Sequence, residues 1–265
     1  MMNSEKTKDL LKSSPVPERS PLVKDIYKGK KCYIISCGPS LRNHDIEALK
    51  KHLADELVIC IKQSYDDFAE VCDFHVYNCG NYKQYDYSKN PNTVAVECTS
   101  YPQYLNKECD LKYFIQERQF HRSLSVTKNF DNWALSNYNN GQVRPYGPGI
   151  MYEIVFYFAE HLGVSEIITI GWDNTNTING KTYDKGVHFY DLDGDHSDYI
   201  THNAVSDNPG AVASLPTETS ITLDNVIDWY YWLNSKGIKL KIVSEYNPVS
   251  KLIPRLKMED ILGEK

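Results

Sequence analysis

Residues 30–41 read KKCYIISCGPSL, and this stretch decides the fold. Lys30 to Ser36 is a continuous, largely apolar run without alternation, the pattern of a strand buried on both faces of a parallel sheet. The run ends in Cys37-Gly38-Pro39-Ser40, and DIEALKKHL (45–53) follows with Ile46, Leu49 and Leu53 at helical spacing. Beyond that helix, ELVICIKQ (56–63) reads as a second strand, DDFAEVC (66–72) as a short helix and DFHVYN (73–78) as a third strand. NTVAVEC (92–98) and LKYFIQE (111–117) are further strand candidates, and residues 118–144 read as a loop with short helical pieces. GPGIMYEIVFYFAEHLG (147–163) has the pattern of a helix opened by Gly-Pro-Gly and closed by Gly163. EIITIGWD (166–173) is a strand, SITLDNVIDWYYWLNSKG (220–237) a helix, and IKLKIVSEYN (238–247) a last strand. Strands alternating with helices in this order predict an α/β fold with a doubly wound, mostly parallel, Rossmann-like sheet.

The domain organisation follows from the same pass. Residues 1–22 carry Ser, Pro and mixed charge with little periodicity and read as a flexible N-terminal arm. Residues 23–250 read as a single α/β domain, and 251–265 as a C-terminal tail. Within the domain, residues 174–217 are rich in Asn, Asp, Gly, His and Tyr; a polar insertion of this length inside a compact domain suits an active-site lid.

The chain has 265 residues, 41% hydrophobic and 24% charged, which excludes a collagen, a coiled coil and a fully disordered chain. Lys plus Arg number 29 against 35 for Asp plus Glu, a net charge of −6 that argues against a protein held to nucleic acid by phosphate contacts. No apolar run reaches the ~18 residues of a membrane-spanning helix, and the N-terminus lacks the shape of a signal peptide. Seven cysteines without a CxxC pair, with Cys32, Cys37, Cys60 and Cys72 in or beside apolar runs, predict free thiols in a reducing cytoplasm. Twenty tyrosines suit polar pockets and ligand-contacting loops, since each offers a flat apolar face and a hydroxyl.

In open α/β sheets ligands bind beyond the carboxyl ends of the strands. There Gly38 allows close backbone approach, and a helix starting after Ser40 would attract an anion such as phosphate. The alternative reading is a plain turn with Ser40 as an N-cap. Neither GxGxxG nor GxxxxGK[ST] is present. Lys62 and Gln63 end the second strand, Asn78 the third and Asp173 the central one, and together with the turn they define one surface-exposed rim. The lid carries His188, His196 and His202 with Asp191, Asp193, Asp195 and Asp198. DLDGDHSD (191–198) lacks the glycine and glutamate positions of a calcium loop; its Asp-x-Asp could hold a divalent ion against a diphosphate, but a solvated acidic turn is the favoured reading, and the histidines lack HExxH spacing, so no metal site is assigned. A histidine with a pKa near ~6.5 is a natural general base at neutral pH.

The strand-GPSL-helix start, the Asn-ended third strand and Arg144 with Gly147-Pro148-Gly149 ahead of an apolar helix resemble bacterial sialyltransferases of glycosyltransferase family forty-two. EIITIGWD, NGKTY (179–183), SDYITH (197–202) and GIKLKIVSEYNPVS (237–250) extend the likeness over about Lys30 to Ser250. The chain is also similar to a broader uncharacterised-domain family with the same GPSL start, which includes flagellin-modifying proteins and an archaeal pterin diphosphokinase.

The resemblance implies a variant GT-A arrangement and an inverting transfer from a CMP-linked sugar donor, without a metal or other cofactor. It implies donor contacts at Gly38, Pro39, Ser40, Gln63 and Asn78, a substrate-side Arg144, and a small-residue turn at Gly147, Pro148 and Gly149 beneath the donor. Tyr183 falls where the family holds the departing phosphate; Tyr199 and His202 fall on its tyrosine and catalytic base. Cys37, Lys62 and Thr175 stand where the family has an asparagine, a donor-binding asparagine and a second phosphate tyrosine. Lysine at 62 suits a more highly charged ligand. The expected partners are a nucleotide-sugar donor, a glycan or glycolipid acceptor and further copies of the chain, but no nucleic acid. The expected setting is bacterial polysaccharide biosynthesis in the cytoplasm or at the periphery of the inner membrane. Two alternatives stay open: a magnesium-requiring diphosphokinase, and a non-catalytic nucleotide-binding module on the same fold.

Overall fold

A computed structural model describes residues 3–78, 85–99, 109–116, 130–137, 142–143, 151–173, 177–178, 181–182, 226–244, 246–247 and 251–263. The strands are β1 (Lys31–Ile35), β2 (Leu57–Ile61), β3 (Phe74–Asn78), β4 (Val94–Thr99), β5 (Leu111–Gln116), β6 (Gln142–Val143) and β7 (Glu166–Ile170). β8 (Thr177–Ile178) and β9 (Lys181–Thr182) pair antiparallel by themselves, and β10 (Lys239–Val243) ends the series. The main sheet has the order β10-β7-β1-β2-β3-β4-β5-β6, with every pairing parallel.

Successive strands march from β1 to β6 in one direction, and the chain then returns to place β7 and β10 on the other side of β1. Strand order reverses between β1 and β7. That is the topological switch point of a doubly wound α/β fold, the position at which such sheets open a crevice beyond the strand ends.

The strands are apolar without alternation because each is covered on both faces. Cys32 and Ile34 face a core shared with Phe156, Phe158, Trp229 and Trp232, whereas Tyr33 and Ile35 face one shared with Leu49, Leu53, Phe68 and Ile261. The α-helices among the described residues are α1 (Ser4–Lys12), α2 (Ile46–Leu53), α3 (Ser64–Phe68), α4 (Phe130–Trp133), α5 (Phe156–His161), α6 (226–235) and α7 (Met258–Leu262). α5 is preceded by a wider π-helical turn over Met151–Val155, and all but one of its six residues are buried, so it is covered on nearly every side. Val226, Trp229 and Leu233 bury one side of α6 at helical spacing.

Both chain ends depart from the sequence reading. The flexible arm expected at 1–22 is instead a capped helix followed by 3₁₀ turns. Asn3 accepts from the Lys6 N–H at 3.0 Å, Thr7 and Leu11 are buried, and Lys8 Nζ donates to the Thr93 carbonyl at 2.8 Å. α1 has too few apolar positions to stand alone, so docking decides it. The tail at 251–265 is also part of the fold: Arg255 bridges to Ile242 of β10, and α7 buries Met258 and Ile261. Six cysteines, at 32, 37, 60, 72, 98 and 109, are free and buried as expected. Among the described residues no helix is long and apolar enough to cross a membrane.

Candidate functional site

At the switch point β1 and β7 end level, Ile35 opposite Ile170, and their following turns pack directly on one another. The Ser36 N–H donates to the Ile170 carbonyl at 2.8 Å and the Gly38 N–H to the Gly171 carbonyl at 2.7 Å. A Cβ on Gly38 would lie 2.3 Å from the Gly171 oxygen and 2.4 Å from Asp173 Oδ2, so only glycine fits between the two turns. Gly171 itself has φ +70°, the left-handed region that a glycine adopts without strain.

Into this contact the protein places a buried carboxylate. Asp173 Oδ2 accepts from the Ser40 N–H at 2.6 Å, and Oδ1 accepts from the Ser40 hydroxyl at 2.6 Å and from the Ser244 hydroxyl beyond β10. Burial pushes the Asp173 pKa above the usual carboxylate range; the donors on Ser244 and Ser40 and the nearby His44 charge oppose that rise. Ser244 Oγ also accepts from the N–H groups of Tyr246 and Asn247, and the Asn247 side-chain amide donates to the Trp172 carbonyl. From the C-terminal segment, Arg255 donates to the Ser244 carbonyl at 2.9 Å and to the Asn247 carbonyl at 2.7 Å. The turns after β1, β7 and β10 are thus tied through one carboxylate, and Arg255 braces the last of them.

This corrects two sequence expectations. Ser40 is 1% exposed and not part of an open rim. The anion held by its N–H and hydroxyl is the protein's own Asp173. Moreover, Pro39–Asn43 is a 3₁₀ helix, and α2 starts only at Ile46, where the Asp45 carboxylate accepts from the Ala48 N–H at 3.0 Å. The N-terminus of α2 therefore already carries a side-chain cap.

The end of β2 is built differently. Cys37 directs its thiol at the Ile61 carbonyl, 3.1 Å away, with Gln63 Oε1 at 3.9 Å; burial pushes the thiol up to about 12, opposed by the Lys62 charge. The Ile61 N–H donates to Ser64 Oγ at 2.9 Å, and that hydroxyl donates to the Ile35 carbonyl at 2.7 Å, tying β2 to β1. Between these, Lys62 has φ +49°, left-handed without being glycine. A side chain there costs about 1–3 kcal/mol and persists only where its surroundings enforce it.

His75 of β3 does the enforcing. Its Nε2 lies 2.8 Å from the Lys62 carbonyl oxygen and its Nδ1 2.8 Å from the Tyr87 hydroxyl. A carbonyl only accepts, so Nε2 carries the proton, and Nδ1 accepts from Tyr87. Burial lowers the imidazole pKa to about 3, against the effect of the Lys62 carbonyl, and the ring is neutral at physiological pH. Tyr65 stacks on it at 4.5 Å and Tyr85 meets it edge-on at 4.3 Å, with Tyr77 at 5.2 Å. The Lys62 N–H donates to the Val76 carbonyl at 3.0 Å, so both main-chain groups of Lys62 are held from β3.

Among the expected site residues, Cys37, Gly38, Pro39, Ser40, Lys62, Gln63 and Asp173 gather at the carboxyl edge of β1, β2 and β7, and Asn78 ends β3 at the same edge, opposite Cys98. Arg144, Gly147, Pro148, Gly149, Thr175, Tyr183, Tyr199 and His202, with His188, His196 and the lid aspartates, lie outside the described residues. Met151 accepts a 3.8 Å contact at its sulfur from the Ser36 hydroxyl, bringing the start of that helix under the end of β1. The β8–β9 pair adds a hairpin at the start of the segment read as a lid. Sequence reasoning missed Ser64, His75, Ser244, Asn247 and Arg255. A histidine inside the apolar run DFHVYN was the one signal available. Among the described residues no cluster of three or more His, Cys, Asp or Glu could hold a metal ion.

No family model and no curated protein matches the sequence. Among solved structures, the chain is similar to the Maf glycosyltransferase of Magnetospirillum magneticum AMB-1, at 12% identity and a TM-score of 0.32, over 80% of this chain and 36% of that one. The chain spans little more than a third of that protein's length, and the fold class rests on the strand order itself.

Proposed function

We propose that the protein is a glycosyltransferase that moves a sugar from a nucleotide donor, CMP-linked in the manner of the sialyltransferases it resembles, to a hydroxyl of a glycan or glycolipid. One observation carries the reading: the strand order reverses between β1 and β7, and the carboxyl edge beside that reversal, where Lys62 follows β2 and Asn78 ends β3, is the ligand position of doubly wound sheets. In this reading His202 takes the proton from the acceptor hydroxyl as that oxygen attacks the anomeric carbon. The bond from that carbon to the nucleotide phosphate breaks with inversion, and the phosphate leaves with the bonding pair. Ser40 gives both its donors to Asp173, so Tyr183 stabilises the departing phosphate, with Tyr199 and Arg144 on the substrate side. Each such preorganised group contributes ~3–4 kcal/mol to the transition state. The reading needs no metal and expects a homo-oligomer.

The experiment is a thermal-shift series with CMP, UDP, GDP and ATP. CMP at a hundredfold excess over its Kd should raise Tm by about 5 °C or more. Stabilisation by ATP alone, dependent on magnesium, would indicate the diphosphokinase activity instead, and no shift with any nucleotide would remove the reading.

A further inference from the structure

Strained backbone at a strand end is an observation that calls for a use. Two described non-glycine residues have left-handed φ, Asp25 at +58° and Lys62 at +49°. Aspartate visits that region readily; lysine does not. Asparagine, aspartate or glycine at 62 would make the same turn with less strain. The fold nevertheless keeps lysine there and dedicates a buried neutral histidine to holding its carbonyl, with Val76 holding its N–H.

The position is also the informative one. Lys62 lies just past the carboxyl end of β2, the strand paired with β1 beside the switch point, and its charge acts against the effect of burial on the Cys37 thiol in the turn after β1. A cation kept at this edge at a cost in backbone strain is suited to an anion of the ligand.

We propose that Lys62 reads a second anionic group of the donor, beyond the phosphate attached to the nucleoside, and that His75 is the residue that positions it. The second anion is either another phosphate or a carboxylate on the transferred sugar. Both present the same chemistry to an ammonium. The inference rests on the nucleotide-donor reading and names the feature of the donor that this chain selects.

The test is isothermal titration of wild type and variants with CMP, CDP, CMP-sialic acid, UMP and UDP, without acceptor, together with Tm. In wild type the ligand with the second anion should bind about tenfold more tightly than its monophosphate, the size of one charge-assisted hydrogen bond. Lys62→Gly should bring that ratio close to one while raising Tm by about 2 °C, because glycine relieves the strain. Lys62→Arg should keep the ratio. His75→Phe should lose it and His75→Gln, which still presents an N–H to the carbonyl, should restore it. In a Lys62→Gly background, His75→Phe should leave the ratio unmoved; a purely structural histidine would not depend on Lys62 in this way.

Loss of the CDP advantage identifies the second phosphate, and loss of the CMP-sialic acid advantage identifies the carboxylate. Either supports the inference. An unchanged ratio in Lys62→Gly, or a fall in its Tm, overturns it and leaves the donor reading standing. Lys62-dependent binding of UDP alone supports the inference and removes the cytidine donor. No binding of any of these ligands overturns both.

Discussion

Two turns at the carboxyl edge of the sheet solve the same steric problem in opposite ways. After β1 and β7, Gly38 and Gly171 let the chains pass within hydrogen-bonding distance: the Ser36 and Gly38 N–H groups end on carbonyls, and both donors of Ser40 end on Asp173. After β2, Lys62 takes a left-handed conformation with its side chain in place, and a buried histidine holds it there. The first arrangement is relaxed and internally satisfied. The second stores strain. Strain that the sequence could remove by a single change to glycine is retained for something other than stability, and this difference separates a structural clasp from a candidate ligand contact.

The comparison breaks most visibly at Gly38. Gly38→Ala puts a methyl group against backbone and carboxylate at 2.3 and 2.4 Å, and both turns must move apart. We expect a loss of about 4 kcal/mol or more in urea unfolding, or failure to fold. Lys62→Gly, a change in the reverse direction after the neighbouring strand, should stabilise. Equal signs at the two positions would remove the distinction.

Asp173→Ala comes next. It strands the N–H and hydroxyl of Ser40 and the hydroxyl of Ser244 in a buried site, at a cost of about 3 kcal/mol. Because one network is involved, Ser40→Ala should cost much less in the Asp173→Ala background than in wild type, a coupling that a double-mutant cycle reads directly. Additive losses would mean that the clasp is not a unit.

The elements on which these predictions rest were unequally legible. β1, β2, β3 and β7 could be read because strands buried on both faces must be apolar throughout, and ICI in β2 or IITI in β7 has no other economical explanation. The switch point followed from their order. What escaped the sequence was every contact made across long separations: Ser244 on Asp173 over 71 positions, and Arg255 on a loop that it alone does not define. α1 escaped because its buried face is only Thr7 and Leu11, and the partner strand surface is far along the chain. The openness of Ser40 was misjudged for a related reason. A serine after a glycine turn reads as an exposed ligand contact until the carboxylate that covers it is brought in from β7.

The smallest predicted effect lies at the opposite end of the sheet, where no ligand is invoked. Asp73 accepts from the Val58 N–H at 2.9 Å, and burial raises its pKa to about 6, against hydrogen bonds from Val58 and Ser4. Its folded-state pKa exceeds the unfolded value of about 3.9, so between pH ~4 and ~6 the folded state binds more protons and stability falls as pH rises. Asp73→Asn retains an acceptor for Val58 and should gain on wild type across that window, read as a Tm difference that grows from pH 4 to pH 7. A difference that is flat or shrinks with pH would contradict the assignment.

The central claim, that this edge serves sugar transfer from a nucleotide donor, is tested most directly by turnover. Release of CMP from CMP-sialic acid should require a glycan acceptor, and His202→Ala should lower kcat by about 10²–10⁴ while donor affinity changes little. The acid limb of the wild-type rate profile should report a group titrating near pH ~6–7 and should vanish in the variant. Near-normal turnover in His202→Ala, with loss instead in His188→Ala or His196→Ala, would contradict the assignment of the base, and wild type that releases no CMP under any acceptor would contradict the account.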